Sequence, residues 1–432
     1  MHTSLWRATA DLPSFPTLKQ NIKTEVLIIG GGIAGLLTAY RLHRAKIPYV
    51  LLEKECICGG TTQNTTAKIT LQHGLIYRKL LSLGVEQAQK YLLANQRALD
   101  EYKTLCRDID CDFEEQDNVV YSLGDKGALE AEARALERLG ASASYREKLP
   151  LPLRTVGGVC VPKQGQFHPL KFLSAISSEL SVFEHSFVRS IEGNKAITDR
   201  GSVSANHIVV TTHFPFINTH GAYFLKLYQH RSYVIALEGA EQVGSMYVDE
   251  AQGGLSFRNH GDLLLLGGGA HRTGKQGGAW QELQQFSAVR YPNATERYHW
   301  AAQDCMSLDG LPYIGQYSNH KAEFSVASGF CKWGMTGAMV ASMLLCDRIV
   351  GKRNDVASVF DPSRSIWSSQ LLINGAETVK NLLTPTVPRC PHLGCALKWN
   401  ATEHSWDCAC HGSRFDADGK VLDNPANGNL KK

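Results

Sequence analysis

The first regular unit of the chain opens with a solid apolar run, Val26-Leu27-Ile28-Ile29, which predicts a strand buried on both faces of a parallel sheet. A glycine turn follows at 30–35, and residues 36–45 are good helix formers ahead of the breaker Pro48. Tyr49-Val50-Leu51-Leu52 is a second buried strand. Further on, 86–107 and 127–139 alternate apolar and polar positions at helical spacing, and 169–180 is a helix opened by proline. The runs 205–212, 233–237 and 262–266 are apolar strands, the last two belonging to a second sheet. A helix of small residues with Met and Leu spans 337–349, and 366–383 is a connecting helix. The linker Thr384-Pro385-Thr386-Val387-Pro388 leads into a cysteine-rich tail.

Composition narrows the field without choosing a chemistry. The 432 residues are 43% apolar and 20% charged, ordinary globular values that allow two or three domains and a large core. A net charge of +4 is too mild to argue for nucleic acid as a partner. No apolar run is long enough to span a membrane, and 1–23 lacks the apolar stretch of a secretory signal, so the expectation is a cytoplasmic protein. Of twelve cysteines, Cys390, Cys395, Cys408 and Cys410 crowd into the tail. In a reducing compartment that density points to metal before disulfides.

Gly30, Gly32 and Gly35 satisfy G-x-G-x-x-G between the first strand and its helix. The first glycine permits the turn, the second lets backbone approach a pyrophosphate, and the third allows close helix–strand packing. Glu53, 18 residues after Gly35, stands where a carboxylate accepts ribose hydroxyls. A dinucleotide is therefore expected, either NAD or FAD. The run Gly267-Gly268-Gly269-Ala270-His271-Arg272 has no third glycine and opens no helix, so it is expected to be a glycine-rich strand end.

Beyond these glycines, the segments 59–68, 157–169, 309–315 and 329–336 resemble the FAD-dependent oxidoreductases of the D-amino-acid-oxidase and glycine-oxidase superfamily. The resemblance covers roughly residues 1–365 and implies an α/β (α+β) protein: a Rossmann-like FAD domain with an inserted mixed-sheet substrate domain. By it, FAD is held by Gly30, Gly32, Ile33, Ala34, Gly35, Glu53, Lys54, Thr61, Thr62, Thr66, Ala67, Val188, Thr212, Gly329, Lys332, Trp333, Gly334, Met335 and Thr336. A helix start near Gly334 suits such a site on physical grounds, because a helix N-terminus stabilises negative charge on the ring.

In the tail, Cys390-Pro391-His392 and Cys408-Ala409-Cys410-His411 form a C-x-H and a C-x-x-H pair, each followed by a glycine, Gly394 or Gly412. A Cys2His2 zinc site uses the same ligand types. The spacing resembles a Rieske [2Fe–2S] site. That resemblance assigns one iron to Cys390 and Cys408, the other to His392 and His411, and a loop-tying disulfide to Cys395 and Cys410. Phe415 stands where high-potential examples carry a Tyr hydroxyl, and its loss lowers the expected potential. The module is short, so the expectation is a small all-β unit that either leans on the flavin domain for cover or is degenerate.

The expected division is 1–85, 150–222 and 300–366 for the FAD domain, 86–149 and 223–299 for the substrate domain, 367–383 for the connecting helix and 384–432 for the Rieske module. Two such cofactors in one chain imply oxidation of a small amine or amino acid, with electrons leaving singly through the cluster to an external acceptor. Two other directions stay open: a reductase or oxygenase component with electrons flowing to the flavin, and a non-enzymatic carrier or redox sensor. Lys68 and His73, with Gln72, follow the flavin loop and are catalytic candidates. Arg231 and Tyr233, with Tyr228, are candidates for binding a substrate carboxylate, Arg231 in a bidentate manner. His271 and Arg272 are further candidates.

Overall fold

The computed structural model describes residues 3–218, 220–275, 280–385 and 388–431, so Thr386 and Val387 of the expected linker lie outside the described residues. Its nucleotide half is a sheet in the order Tyr313–Ser318, Lys321–Ser328, Ser202–Val210, Asn21–Ile29, Tyr49–Leu52, Val182–Phe183. Along this order all neighbours are parallel except the Tyr313–Ser318 edge strand, and a hairpin of Ser190–Glu192 and Lys195–Ile197 adds antiparallel to Ser202–Val210. The central run is buried on both faces, with Val26, Leu27 and Ile28 wholly inaccessible, as its unbroken apolar pattern requires. Helix Ile33–Arg44 packs against helix Gly334–Ile349, and Val85–Leu105 covers the latter. Small residues in Gly334–Ile349, among them Gly337, Ala338 and Ala341, let these helices approach closely.

A second sheet of nine strands runs Thr295–Ser307, Leu227–Glu238, Leu263–Arg272, Ser256–His260, Met246–Asp249, Glu114–Ser122, Gly157–Gln166, Lys68–Ile69, with Ser144–Arg146 on the side. One parallel pairing, Met246–Asp249 with Glu114–Ser122, makes it a mixed sheet. Gly157–Gln166, Lys68–Ile69 and most of Thr295–Ser307 pair here, although the expected boundaries placed 150–222, 68–69 and 300–307 with the FAD domain. An apolar run shows that a strand is buried but not which of two sheets supplies its hydrogen bonds. The glycine run 267–269, expected to be a strand end, is the interior of strand Leu263–Arg272. The tail is a four-stranded antiparallel sheet, Leu397–Asn400, Ser405–Cys408, Arg414–Asp416 and Val421–Asp423. Its core is Cys390, Cys395, Leu397, Cys408, Cys410, Phe415, Val421 and Ala426.

Candidate functional site: a cavity and a four-ligand centre sharing one wall

The glycine turn has the expected geometry. Gly30 sits at φ +110°, and a Cβ on Gly35 would stand 2.0 Å from the Gly30 carbonyl oxygen, which excludes any side chain there. At Gly32 a Cβ would meet only the Thr62 hydroxyl, at 3.3 Å, so backbone is left bare toward the cavity. The Thr62 hydroxyl accepts from the Ile33 N–H at 3.0 Å, and the cap residue Gly32 has no side chain to engage the N–H groups that follow. Glu53 ends the second strand and accepts from the Gly31 N–H at 2.7 Å and the Glu55 N–H at 3.0 Å. Burial raises its carboxyl above the usual range against these bonds.

These groups open into a cavity of about 920 Å³. Gly30, Gly32, Ile33, Ala34, Glu53, Lys54, Thr61, Thr62, Thr66 and Thr212 line one part of it, and Lys332, Trp333, Gly334 and Met335 another. Helix Gly334–Ile349 begins there with no side-chain cap, which leaves its first N–H groups without an intrahelical partner beside the cavity. Five expected FAD contacts lie behind the wall. Gly35 packs on Gly30; Ala67 gives its carbonyl to Arg258 at 2.8 Å; Thr336 donates to the Thr70 carbonyl at 3.0 Å. Gly329 is packed against Leu227 and Ser307, and Val188 is buried with its carbonyl facing Asn427. A bare phosphate turn, a terminal carboxylate and a second uncapped helix end fit FAD.

The four candidate catalytic residues separate. Lys68 lines the cavity and is buried, and among the described residues its amine bonds the Thr66 hydroxyl alone, at 3.2 Å. Burial, with the neighbouring charge of Arg258, holds its amine far below the ordinary lysine value, at about 7. His73 also reaches the cavity, but both ring nitrogens are engaged: Nδ1 with the Tyr91 hydroxyl at 2.6 Å, and Nε2 with the Thr70 carbonyl at 2.8 Å and the Thr336 hydroxyl at 2.9 Å. Its ring stacks on Trp333 at 4.9 Å, and burial lowers it to about 3. His73 is thus a neutral structural strut, a correction to its expected chemical role. Gln72 is likewise spent, on the Val159 carbonyl and on Asn118.

Arg231 and Tyr233 do pair with a carboxylate, but it belongs to the chain itself. Arg231 forms a two-pronged ion pair with Glu403 of the tail, and the Tyr233 hydroxyl donates to Glu403 at 2.8 Å. Arg414 donates to the same carboxylate at 2.8 Å. Burial alone would raise Glu403, yet the two guanidinium charges hold it at about 2. The expected substrate-binding pair is therefore a docking clamp for the tail. His271 stacks on Tyr233 at 5.7 Å, and Arg272 donates to the carbonyls of Ala409 at 2.8 Å and Cys410 at 2.9 Å.

The two tail loops mirror each other. Gly394 and Gly412 have φ of +77° and +85°, and each donates 2.9 Å to the carbonyl of Cys390 or Cys408 respectively. His392 and His411 face each other, ring centroids 4.9 Å apart and nearly perpendicular. Nδ1 of each histidine is buried without a hydrogen-bond partner. His392 Nε2 is held by the Asn218 side chain at 2.9 Å, and the His411 ring lies edge-on to Phe214 and Phe224. Two orphaned nitrogens beside two buried cysteines are the donor set of a metal centre, and Cys390, His392, Cys408 and His411 fit the cluster. Cys395 and Cys410, expected as a disulfide, are unbonded thiols; their sulfurs and that of Cys408 lie within 4.8 Å of one another.

A family model described as FAD-dependent oxidoreductase (DAO) matches residues 25–348. The chain belongs to the DAO family of FAD-dependent oxidoreductases. A Rieske [2Fe-2S] domain model matches 354–432. The flavoenzyme thus carries FAD and a [2Fe–2S] cluster as its cofactors. The chain is 32% identical to a Bacillus subtilis protein named as a Rieske 2Fe-2S iron-sulfur protein, YhfW, over 99% of this chain and 96% of that one. Its tail is 38% identical to the cytochrome b6-f complex iron-sulfur subunit of Synechococcus elongatus over 20% of this chain and 45% of that one. Glycine oxidase from Geobacillus kaustophilus shares the fold with a TM-score of 0.65 at 18% identity, over 80% of this chain and all of that one. L-proline dehydrogenase from P. horikoshii does so at 0.67 and 16%, over 80% and 98%.

In this DAO-family flavoenzyme the Rieske module sits on the cavity wall itself. Gln303 lines the cavity and donates 2.8 Å to the Gly412 carbonyl; Gln229 donates 2.8 Å to the His411 carbonyl. A Cβ on Gly412 would meet the Gln229 side chain at 2.5 Å, so the loop is seated against the sheet. Arg414 and the stretch 421–424 of the module help line the cavity, and Asn424 donates to the Phe214 carbonyl at 2.6 Å. Gln229, Gln303 and Asn424 of this docking set were not marked by the sequence, because glutamine and asparagine carry no motif and the contacts they make between module and sheet span more than 100 residues.

Proposed function

We propose that this flavoenzyme oxidises a small amine or amino acid at a C–N bond and passes the electrons singly through the Rieske module to an external acceptor. The observation that supports this most is the shared wall: Gln303 borders the cavity and holds the second ligand loop in place. When bound, FAD supplies hydride acceptance, and the cluster supplies one-electron transfer. The substrate class follows the amino acids named for the solved neighbours, glycine and proline.

The chain's own residues have three tasks in this reading. The 30–35 turn, Thr62 and the start of helix Gly334–Ile349 orient the dinucleotide. Lys68, with an amine near neutrality, takes the proton that a substrate ammonium must lose before its C–H bond can be attacked. Gln229, Gln303 and Arg272 fix the second ligand loop, while Phe214, buried at the end of the nucleotide sheet, stands 6.3 Å and 6.2 Å from the His392 and His411 rings.

The test is anaerobic mixing with a panel of amines and amino acids, following flavin absorbance and the EPR signal of the cluster. One compound should bleach the flavin and then raise the EPR signal. In Cys408→Ser bleaching should persist, while turnover with one-electron acceptors collapses. Equal turnover of Cys408→Ser with every acceptor, or bleaching by a protein donor alone, would overturn the proposal.

A further inference from the structure

Helix Ser369–Leu383 is built inside out. The residues it turns toward the protein are polar: Asn374 accepts from Arg272 at 2.8 Å, Glu377 pairs with Lys275, and Asn381 donates to Glu377 at 2.7 Å. Asn374 and Asn381 are its buried side chains. Its solvent face carries Leu372, Ala376, Val379 and Leu383, an i, i+4, i+7, i+11 stripe flanked by the exposed Ile373, with Leu372 72% and Leu383 77% exposed. Trp367, 85% exposed, stands just before the helix. Apolar burial drives the opposite arrangement, so a stripe of this size needs a cover outside the described residues.

The stripe continues into the metal-ligand region. Arg389 donates from one nitrogen to the Leu382 carbonyl at 3.1 Å and the Gly394 carbonyl at 3.2 Å, which brings the helix end beside the first ligand loop. Leu393 of that loop, next to His392, is 40% exposed. Leu225 is exposed to the same degree on helix Tyr223–Lys226, which packs against Ser369–Leu383.

We propose that this face is the docking surface for a lipid bilayer, on which the helix lies in the plane of the headgroups. Three observations choose this occupant. A helix of 15 residues is about 22 Å long, and one face of it falls well short of the roughly 20–30 residues a side in a standard protein interface. A charged soluble carrier would dock on complementary charges, yet the helix carries only Glu377, paired with Lys275, and the exposed Lys380. Exposed leucines for the acyl boundary, a terminal tryptophan and one positive charge suit an interface with some anionic lipid. Seated this way, the first ligand loop faces the membrane. Vesicle binding is read without turnover, so this inference stands or falls apart from the catalytic proposal.

The experiment uses the full FAD-loaded chain in flotation with phosphatidylcholine vesicles, with and without a minor share of phosphatidylglycerol, and sedimentation without lipid. The wild type should float with both vesicle types, more strongly with phosphatidylglycerol. Leu372→Gln/Val379→Gln/Leu383→Gln, all at exposed positions, should bind at least about tenfold more weakly with unchanged mass and flavin spectrum. Lys380→Gln should lose only the phosphatidylglycerol increment. Absence of flotation of the wild type, undiminished flotation of the triple variant, or a wild-type dimer that the triple variant dissociates would each overturn the proposal, the last by making a second copy the cover.

Discussion

Replacing Glu403 with glutamine keeps the shape of the docking clamp and removes its charge. Arg414 would retain Asp407 at 3.0 Å and Asp423 at 3.2 Å, but Arg231 would lose its directly bonded carboxylate. Both sides of the broken pair are deeply buried, with side chains 8% and 6% exposed for Arg231 and Glu403. Removing one partner of a buried pair costs about 3–5 kcal/mol. The carboxyl offers a second route to the same figure: it is held at about 2 against an ordinary 4.5, a depression worth roughly 3 kcal/mol. A depressed carboxylate contributes fully above about pH 4.5 and loses its contribution as pH falls toward 2. Glu403→Gln should therefore lower the unfolding free energy by about 3 kcal/mol at neutral pH and flatten the acid limb between those values. Denaturant unfolding at several pH values, with proteolysis at the linker between helix and module, measures both. Arg231→Met/Glu403→Met should recover most of the loss, because an apolar pair leaves no unpaired charge. A single variant as stable as the wild type at neutral pH would refute the clamp.

Three further outcomes follow from the geometry. Gly35→Ala should yield protein without flavin, since its Cβ would stand 2.0 Å from the Gly30 carbonyl oxygen; absorbance of the purified protein checks this. The rate of substrate oxidation should rise with pH through about 7, as Lys68 becomes the free amine, and Lys68→Met should lose that rise in a pH–rate profile. His411→Ala should lose iron and keep FAD, because its orphaned Nδ1 belongs to the tail and not to the cavity; iron and flavin assays on one sample decide it.

The glycine turn, Glu53 at the end of its strand and the two paired Cys–His loops were legible because each is a local requirement. A backbone at φ +110°, a Cβ-free approach and a ligand loop closed by a left-handed glycine constrain residues within a few positions of one another. The apolar runs likewise announced the central strands. Their sheet membership was not legible, since Gly157–Gln166 and Lys68–Ile69 satisfy the same pattern in either sheet.

What tertiary structure decided is where polar side chains find partners. Arg231 looked like a carboxylate binder and is one, but the carboxylate lies 172 residues downstream on a separate module. His73 stood at the right place beside the flavin loop, and packing with Tyr91, Thr70 and Thr336 consumed both of its nitrogens. The connecting helix was read correctly as a helix, yet only the assembled fold shows its leucines outward and its asparagines inward. By itself the sequence determined the backbone features that chemistry demands locally: a phosphate turn and a pair of ligand loops. Which charges are neutralised, which face is left bare and which wall the two centres share depend on contacts between distant segments, and those form only when the chain packs.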